Sequence, residues 1–170
     1  MEINNKNDFP KRKKIRLKEY NYSSAGAYFI TVCVKDRRRI FWDFVGADII
    51  RPKNINLSKY GLIVEKAIRN IPDHYENVSV DKFSIMPDHI HLLISSTDGR
   101  MISAPTMSRV IGQMKRWVTK ESKISFWQKS YFDHIIRNEN DYAEIWEYIE
   151  HNPRVWIEKH CNQAEKLEIK

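Results

Sequence analysis

The hydrophobic positions change period along the chain, and the changes mark out its elements. Tyr28-Phe29-Ile30-Thr31-Val32-Cys33-Val34 is aromatic and β-branched throughout and reads as a central strand buried on both faces. Ile40 to Phe44 is a short apolar segment, followed by an irregular connection through Gly46 and Pro52. After a candidate N-cap at Ser58, Tyr60, Ile63, Val64, Ala67, Ile68 and Ile71 recur at helical spacing until Pro72 ends the pattern. Val78 to Met86 reads as a second strand, Met86-Pro87-Asp88 as a turn, and His89 to Ser95 as a third strand completing an antiparallel hairpin. A polar loop leads to Thr106, which caps a second helix with Met107, Val110, Ile111, Met114, Trp117 and Val118 as its buried stripe. Trp127 to Arg137 is the fourth strand. Asn138 caps a third helix that runs to about His151, where Asn152-Pro153 stops it. Its buried stripe is Tyr142, Ile145, Trp146 and Ile149, and residues after Trp156 lose periodicity.

Strand, helix, strand, strand, helix, strand is the order of the split βαβ, ferredoxin-like arrangement, an α+β fold with an antiparallel sheet. Its two crossover helices share one sheet face. The additional C-terminal helix is left to cover the opposite face. The expected organisation is a basic arm over residues 1–18, one domain over 19–157 and a tail over 158–170.

The 170 residues, 42% of them hydrophobic, suffice for one domain with a substantial core. No apolar run approaches the ~20 residues of a membrane span, so a cytoplasmic location away from membranes is expected. Cys33 and Cys161 have no motif spacing and read as a buried and an exposed thiol. The net charge of +7 is compatible with a polyanionic partner, and the cations are clustered. Lys11, Arg12, Lys13, Lys14 and Arg16 form one patch, either a solvated tail or an arm along a nucleic-acid backbone. Arg109, Lys115, Arg116 and Lys120 lie off the stripe of the second helix, as an ordinary charged face or a second DNA contact. The Asp36-Arg37-Arg38-Arg39 turn has the same two readings.

Alternation along the third strand puts His89 and His91 on one face and Ile90, Leu92 and Ile94 on the other. Two imidazoles so placed are either surface histidines or half of a metal site. On the last helix Tyr148 and Asn152 are four residues apart and share one flank of the stripe. Asn152 offers a carbonyl oxygen as a third ligand. Tyr148 offers a phenol, which is a poor nucleophile until a base or charge activates it. The bland reading of Tyr148 is an amphipathic residue at a packing edge. His134 is either near this site or a satisfied core histidine. Tyr131 and Tyr142 are rival tyrosines, the first suited to packing or base stacking and the second to the stripe.

Several segments, taken in order, resemble the HUH single-tyrosine transposases, specifically the REP-associated tyrosine transposase group. They are Arg16-Leu17, Tyr20, Gly26 to Thr31, Met86-Pro87-Asp88-His89-Ile90-His91, Lys115 to Thr119, Trp127 to Arg137, Asp141-Tyr142 and Tyr148-Ile149-Glu150-His151-Asn152-Pro153. The resemblance spans residues 12–156. It implies that His89 and His91 bind Mg²⁺ or Mn²⁺, that Asn152 completes the metal site and that Tyr148 is the nucleophile. It also implies cleavage and rejoining of hairpin-bearing single-stranded DNA through a 5′-phosphotyrosine, without ATP. Asp88 stands where many relatives carry Asn or Glu. Insertion-sequence relatives swap catalytic helices in dimers, whereas the REP-associated group is more compatible with a monomer, so monomer and homodimer both remain open.

Three functions are compatible with these readings. One is a metal-dependent nicking and joining enzyme. The second is a domesticated relative that binds structured DNA or RNA without cutting. The third is a zinc hydrolase using His89, His91 and a distant carboxylate, which leaves the tyrosine and asparagine unexplained.

Overall fold

The computed structural model describes residues 26–43, 55–97 and 106–168, with side chains up to His160. The basic arm of Lys11, Arg12, Lys13, Lys14 and Arg16 lies outside the described residues, as does the side chain of Cys161.

Four strands, β1 (Gly26–Cys33), β2 (Val78–Ile85), β3 (His89–Ser96) and β4 (Phe132–Ile136), form one sheet in the order β2-β3-β1-β4. Every pairing is antiparallel. With α1 (Lys59–Arg69), α3 (Met107–Ser122) and α4 (Glu139–Glu168) this is the expected α+β architecture. The Ser58 hydroxyl caps α1 by accepting from the amides of Tyr60 and Gly61, and Thr106 caps α3 by accepting from the Arg109 amide. Pro72 does not simply end the first helical pattern. It opens one further turn, α2 (Ile71–His74), where its missing N–H costs nothing.

Tyr28, Ile30 and Val32 of β1 and Ile90, Leu92 and Ile94 of β3 join the stripes of α1 and α3 in one buried cluster. The opposite face carries His89, His91, Leu93 and Ser95. There the expectation for β1 fails: its burial alternates, and Phe29, Thr31 and Cys33 are only half-buried. The reason is how far the last helix reaches. Among the described residues, α4 packs mainly on β2 and also on β3, leaving the β1–β4 half of this face open. The fourth strand is also shorter than expected: residues 127–131 precede it, with Trp127 forming an isolated bridge to Val34 and the Gln128 amide donating to the Cys33 carbonyl at 2.9 Å.

The last helix does not stop at Asn152-Pro153: α4 continues through Pro153 to Glu168. A proline inside a helix costs ~3 kcal/mol. What offsets it is a second apolar patch one helical repeat beyond Ile149. Trp156 and Ile157 pack against the core, and the Trp156 ring meets that of Trp42 edge-on at 5.2 Å. Trp42 is itself buried, with its indole N–H donating to the Ile85 carbonyl at 2.6 Å. The Arg39 guanidinium lies 5.1 Å over the Trp156 ring. Before the proline, α4 is tied to β2 by the Tyr142 hydroxyl, which donates to Asp81 at 3.1 Å, and by the ion pair of Lys82 with Glu150. The Lys82 ammonium also lies over Trp146. Trp146 itself is 38% exposed and Tyr142 half-buried, so the expected stripe is less buried than its periodicity implied.

Candidate active site

The site is built on the open side of β3. The turn before it is closed by the Met86 amide donating to the His89 carbonyl at 2.8 Å, and Pro87 accepts from the amides of Ile40 and Phe41 at 2.9 and 3.0 Å. These contacts make the entry to β3 rigid. Alternation along the strand then brings His89 and His91 together, with their Nε2 atoms 3.0 Å apart.

Each ring is held from behind. His89 Nδ1 is 2.6 Å from Asp88 Oδ1, and His91 Nδ1 is 2.9 Å from Thr31 Oγ1. Burial acts to raise the Asp88 carboxyl, but the hydrogen bond and charge of His89, with Arg37, outweigh it and hold the group below its usual range. The carboxylate is therefore ionised and accepts from His89 Nδ1, while His89 Nε2 faces His91. His91 is 4% exposed. Burial, then the charges of His89 and Arg37, push it down to about 3 against the opposing pull of Asp88, so it is neutral near pH 7. The Thr31 hydroxyl can donate to Nδ1 or accept from it, so it serves either tautomer of His91.

Tyr148 comes from α4 of the same chain. Its ring centroid lies 5.3 Å from that of His91 and 5.8 Å from that of Phe29, both edge-on. Phe29 in turn stacks on His91 at 5.2 Å. Tyr148 is 50% exposed, so a large substrate can reach its side chain. Asn152, four residues on, has a buried side-chain nitrogen with no hydrogen-bond partner.

The donor set fits a divalent cation. Two imidazole nitrogens 3.0 Å apart match the spacing of adjacent ligands of an octahedral ion bound at about 2.0–2.1 Å, and both imidazoles have the outer partner that metal-bound histidines use. Among the described residues no three His, Cys, Asp or Glu side chains group as a metal site. The resemblance in sequence implies Asn152 as a further ligand, and its side-chain nitrogen is buried without a partner among the described residues.

The remaining candidates divide. Arg109, Arg116 and Lys120 are exposed on α3, in the layer opposite the histidines. Lys115 is not a free cation: its ammonium donates to the Gln128 carbonyl at 2.6 Å, and burial pulls its pKa below the usual value. His134 is not a core histidine but an exposed one, its Nε2 2.9 Å from Asp141. Tyr131 packs beside the core with its hydroxyl 3.2 Å from that of Ser108. Thr31 and Phe29 carry no spacing signal in the sequence. Only the β1–β3 register, in which Thr31 is the partner of His91, reveals them.

Fold and site together define a ferredoxin-like α+β protein that sets a helix-borne tyrosine beside a strand-borne histidine pair. Residues 22–152 match the model of the IS200-like transposases, and the chain belongs to that family. An uncharacterized protein of Haemophilus influenzae is 34% identical over 85% of this chain and 89% of its own length. A second protein of that organism, provisionally named a REP-associated tyrosine transposase, is 25% identical over 78% of this chain and 73% of its own. The fold matches a solved REP-associated tyrosine transposase bound to a REP hairpin, with a TM-score of 0.59 and 22% identity, covering 81% of this chain and 72% of that one. The group that the sequence motifs resemble is therefore also the group of these two relatives. Among the described residues no helix is long and apolar enough to cross a membrane.

Proposed function

We propose that this protein is a metal-dependent DNA strand transferase that cleaves and rejoins hairpin-bearing single-stranded DNA through a 5′-phosphotyrosine on Tyr148. The observation that carries this reading is the approach of Tyr148 to His91 within one chain, with centroids 5.3 Å apart and the paired imidazole nitrogens alongside. The hairpin substrate is suggested by the relative solved with a REP hairpin.

His89, His91 and Asn152 would hold the cation, Mg²⁺ or Mn²⁺, which when bound would supply positive charge to polarise the scissile phosphate and steady the departing oxygen. The Tyr148 oxygen attacks phosphorus and releases its proton to solvent. The bond from phosphorus to the 3′ oxygen breaks, and that oxygen leaves with the electron pair and takes up a proton. The 5′ end is then an ester of Tyr148, and attack by a 3′-hydroxyl reverses the step with no external energy source. Asp88 and Thr31 keep both imidazoles aimed, and α4 holds the phenol where the phosphate arrives.

A hairpin with single-stranded flanks, incubated with Mn²⁺ or Mg²⁺ and run on a denaturing gel, tests this. The expected result is a covalent adduct that EDTA prevents and Tyr148→Phe abolishes. An adduct that persists in Tyr148→Phe overturns the assignment of the nucleophile. Tight hairpin binding without any adduct assigns the protein to the non-cleaving reading instead.

A further inference from the structure

The half of the histidine-bearing face that α4 leaves open has a surface of its own. Strand pairing aligns His91 with Thr31 and Thr31 with Phe132, so these three make one row across β3, β1 and β4. The next row is Leu93, Phe29 and His134. Phe132 is 49% exposed although it sits within a strand, while its neighbours Asp133 and Ile135 are buried on the other face. An aromatic left this open on a rigid sheet has no packing role there among the described residues. With strands about 4.8 Å apart, the Phe132 backbone stands roughly 10 Å from that of His91. That distance is about three bases at the ~3.4 Å spacing of stacked DNA. Phe29 lies between them, half-buried, its ring already stacked on His91. The exposed cations Lys129 and Arg137 bracket the strand. The His134 imidazole, beside Phe29 in the strand pairing, is held by its hydrogen bond with Asp141.

We propose that this open half-sheet is a track for the unpaired bases flanking the scissile phosphate, which stack on Phe132 and on the exposed part of Phe29 while Lys129 and Arg137 meet the phosphates. It rests on the strand-transfer reading and adds to it the path of the substrate. Each base has an apolar face that an aromatic side chain can cover regardless of sequence, so the track binds unpaired strand in general. Base-paired stem is excluded, because its base faces are already covered by each other. The proposed selectivity is therefore for single strand over duplex at the position where the tyrosine acts.

The test measures binding in EDTA, so that it does not depend on cleavage. The probes are one DNA hairpin alone and the same hairpin with a thymidine tail of about eight nucleotides, within the ~4–16 nucleotide footprint of single-strand binding surfaces. The tail should strengthen binding to the native protein. Phe132→Ala should remove roughly 5- to 100-fold of affinity for the tailed probe and leave the hairpin alone unchanged. Phe132→Trp should retain the gain, which separates stacking from a folding defect. A tail of 5-iododeoxyuridine should photocross-link to Phe132 or Phe29. Equal tail affinity in native protein and Phe132→Ala, or cross-links confined to α3, overturns the track. That outcome leaves the strand-transfer reading standing if the EDTA-sensitive adduct forms. Loss of the adduct with an intact Phe132-dependent tail effect removes the reaction and keeps the surface.

Discussion

Thr31→Val isolates the contribution of a residue that is neither metal ligand nor nucleophile in the proposed reaction. Valine keeps the shape and strand preference of threonine, and Thr31 is only half-buried, so β1 is retained. What disappears is the 2.9 Å hydrogen bond to His91 Nδ1. His91 is almost fully buried, so its Nδ1 has no ready access to water. An unsatisfied buried polar group costs about 1–3 kcal/mol, which in a protein of this size lowers the melting temperature by roughly 2–10 °C. The larger effect is expected on the cation. Losing the outer partner of a ligating imidazole weakens metal affinity about 10- to 100-fold, because the ring is no longer held in one tautomer and orientation. Adduct formation titrated against Mn²⁺ should therefore shift its midpoint upward by that factor while the plateau at saturating metal is nearly kept. Thr31→Ser, which retains the hydroxyl, should stay close to the native curve. An unshifted midpoint in a folded Thr31→Val protein would refute the claim that the Thr31 hydroxyl orients His91.

Two further outcomes are expected from the contacts of α4 and the burial of His91. Pro153→Ala restores the helix bond from the amide at this position to the Ile149 carbonyl, and differential scanning calorimetry should find a higher melting temperature, by up to about 3 kcal/mol of added stability. A lower one would mean that the break itself seats α4. For His91 the folded-state pKa, about 3, is below the unfolded value of 6.5, so between those values the unfolded chain takes up a proton that the folded one does not. Stability from this group is thus full above pH 6.5 and declines as the pH falls towards 3, with a slope of at most about 1.4 kcal/mol per pH unit. Urea midpoints from pH 7 to 4.5 should fall more in the native protein than in His91→Gln; identical slopes would contradict the burial of a neutral imidazole.

The order of elements was legible because each carries its own local signal: a cap at Ser58 or Thr106, a 3.6-residue stripe, or alternation in β3. The expected end of the last helix was wrong because Pro153 is a strong local signal overridden at long range. Trp156 meets Trp42, more than a hundred residues earlier, and no window of sequence contains both. The same limit applies at the site. His89, His91, Tyr148 and Asn152 could be proposed from spacing within single elements. Thr31 and Phe29 acquire meaning only from the register of β1 against β3, which spacing does not encode. Lys115 misled for a related reason: its position off the helix stripe implied solvent, but residues 128 and 129 pass beside it and their carbonyls accept from its ammonium.

The seating of α4 on both sides of Tyr148 has one more consequence. Upstream, Tyr142 and Lys82 fasten the helix to β2; downstream, Trp156 is lodged against Trp42; and only Arg137 and Asn138 separate α4 from β4. These contacts hold the helix against the sheet on both sides of the tyrosine. In the proposed reaction the DNA end bonded to Tyr148 is therefore anchored to the body of the protein, and any exchange of partners has to come from travel of the free 3′ end. The tyrosine works as a mooring, and the direction of strand movement is set by which end is tied up.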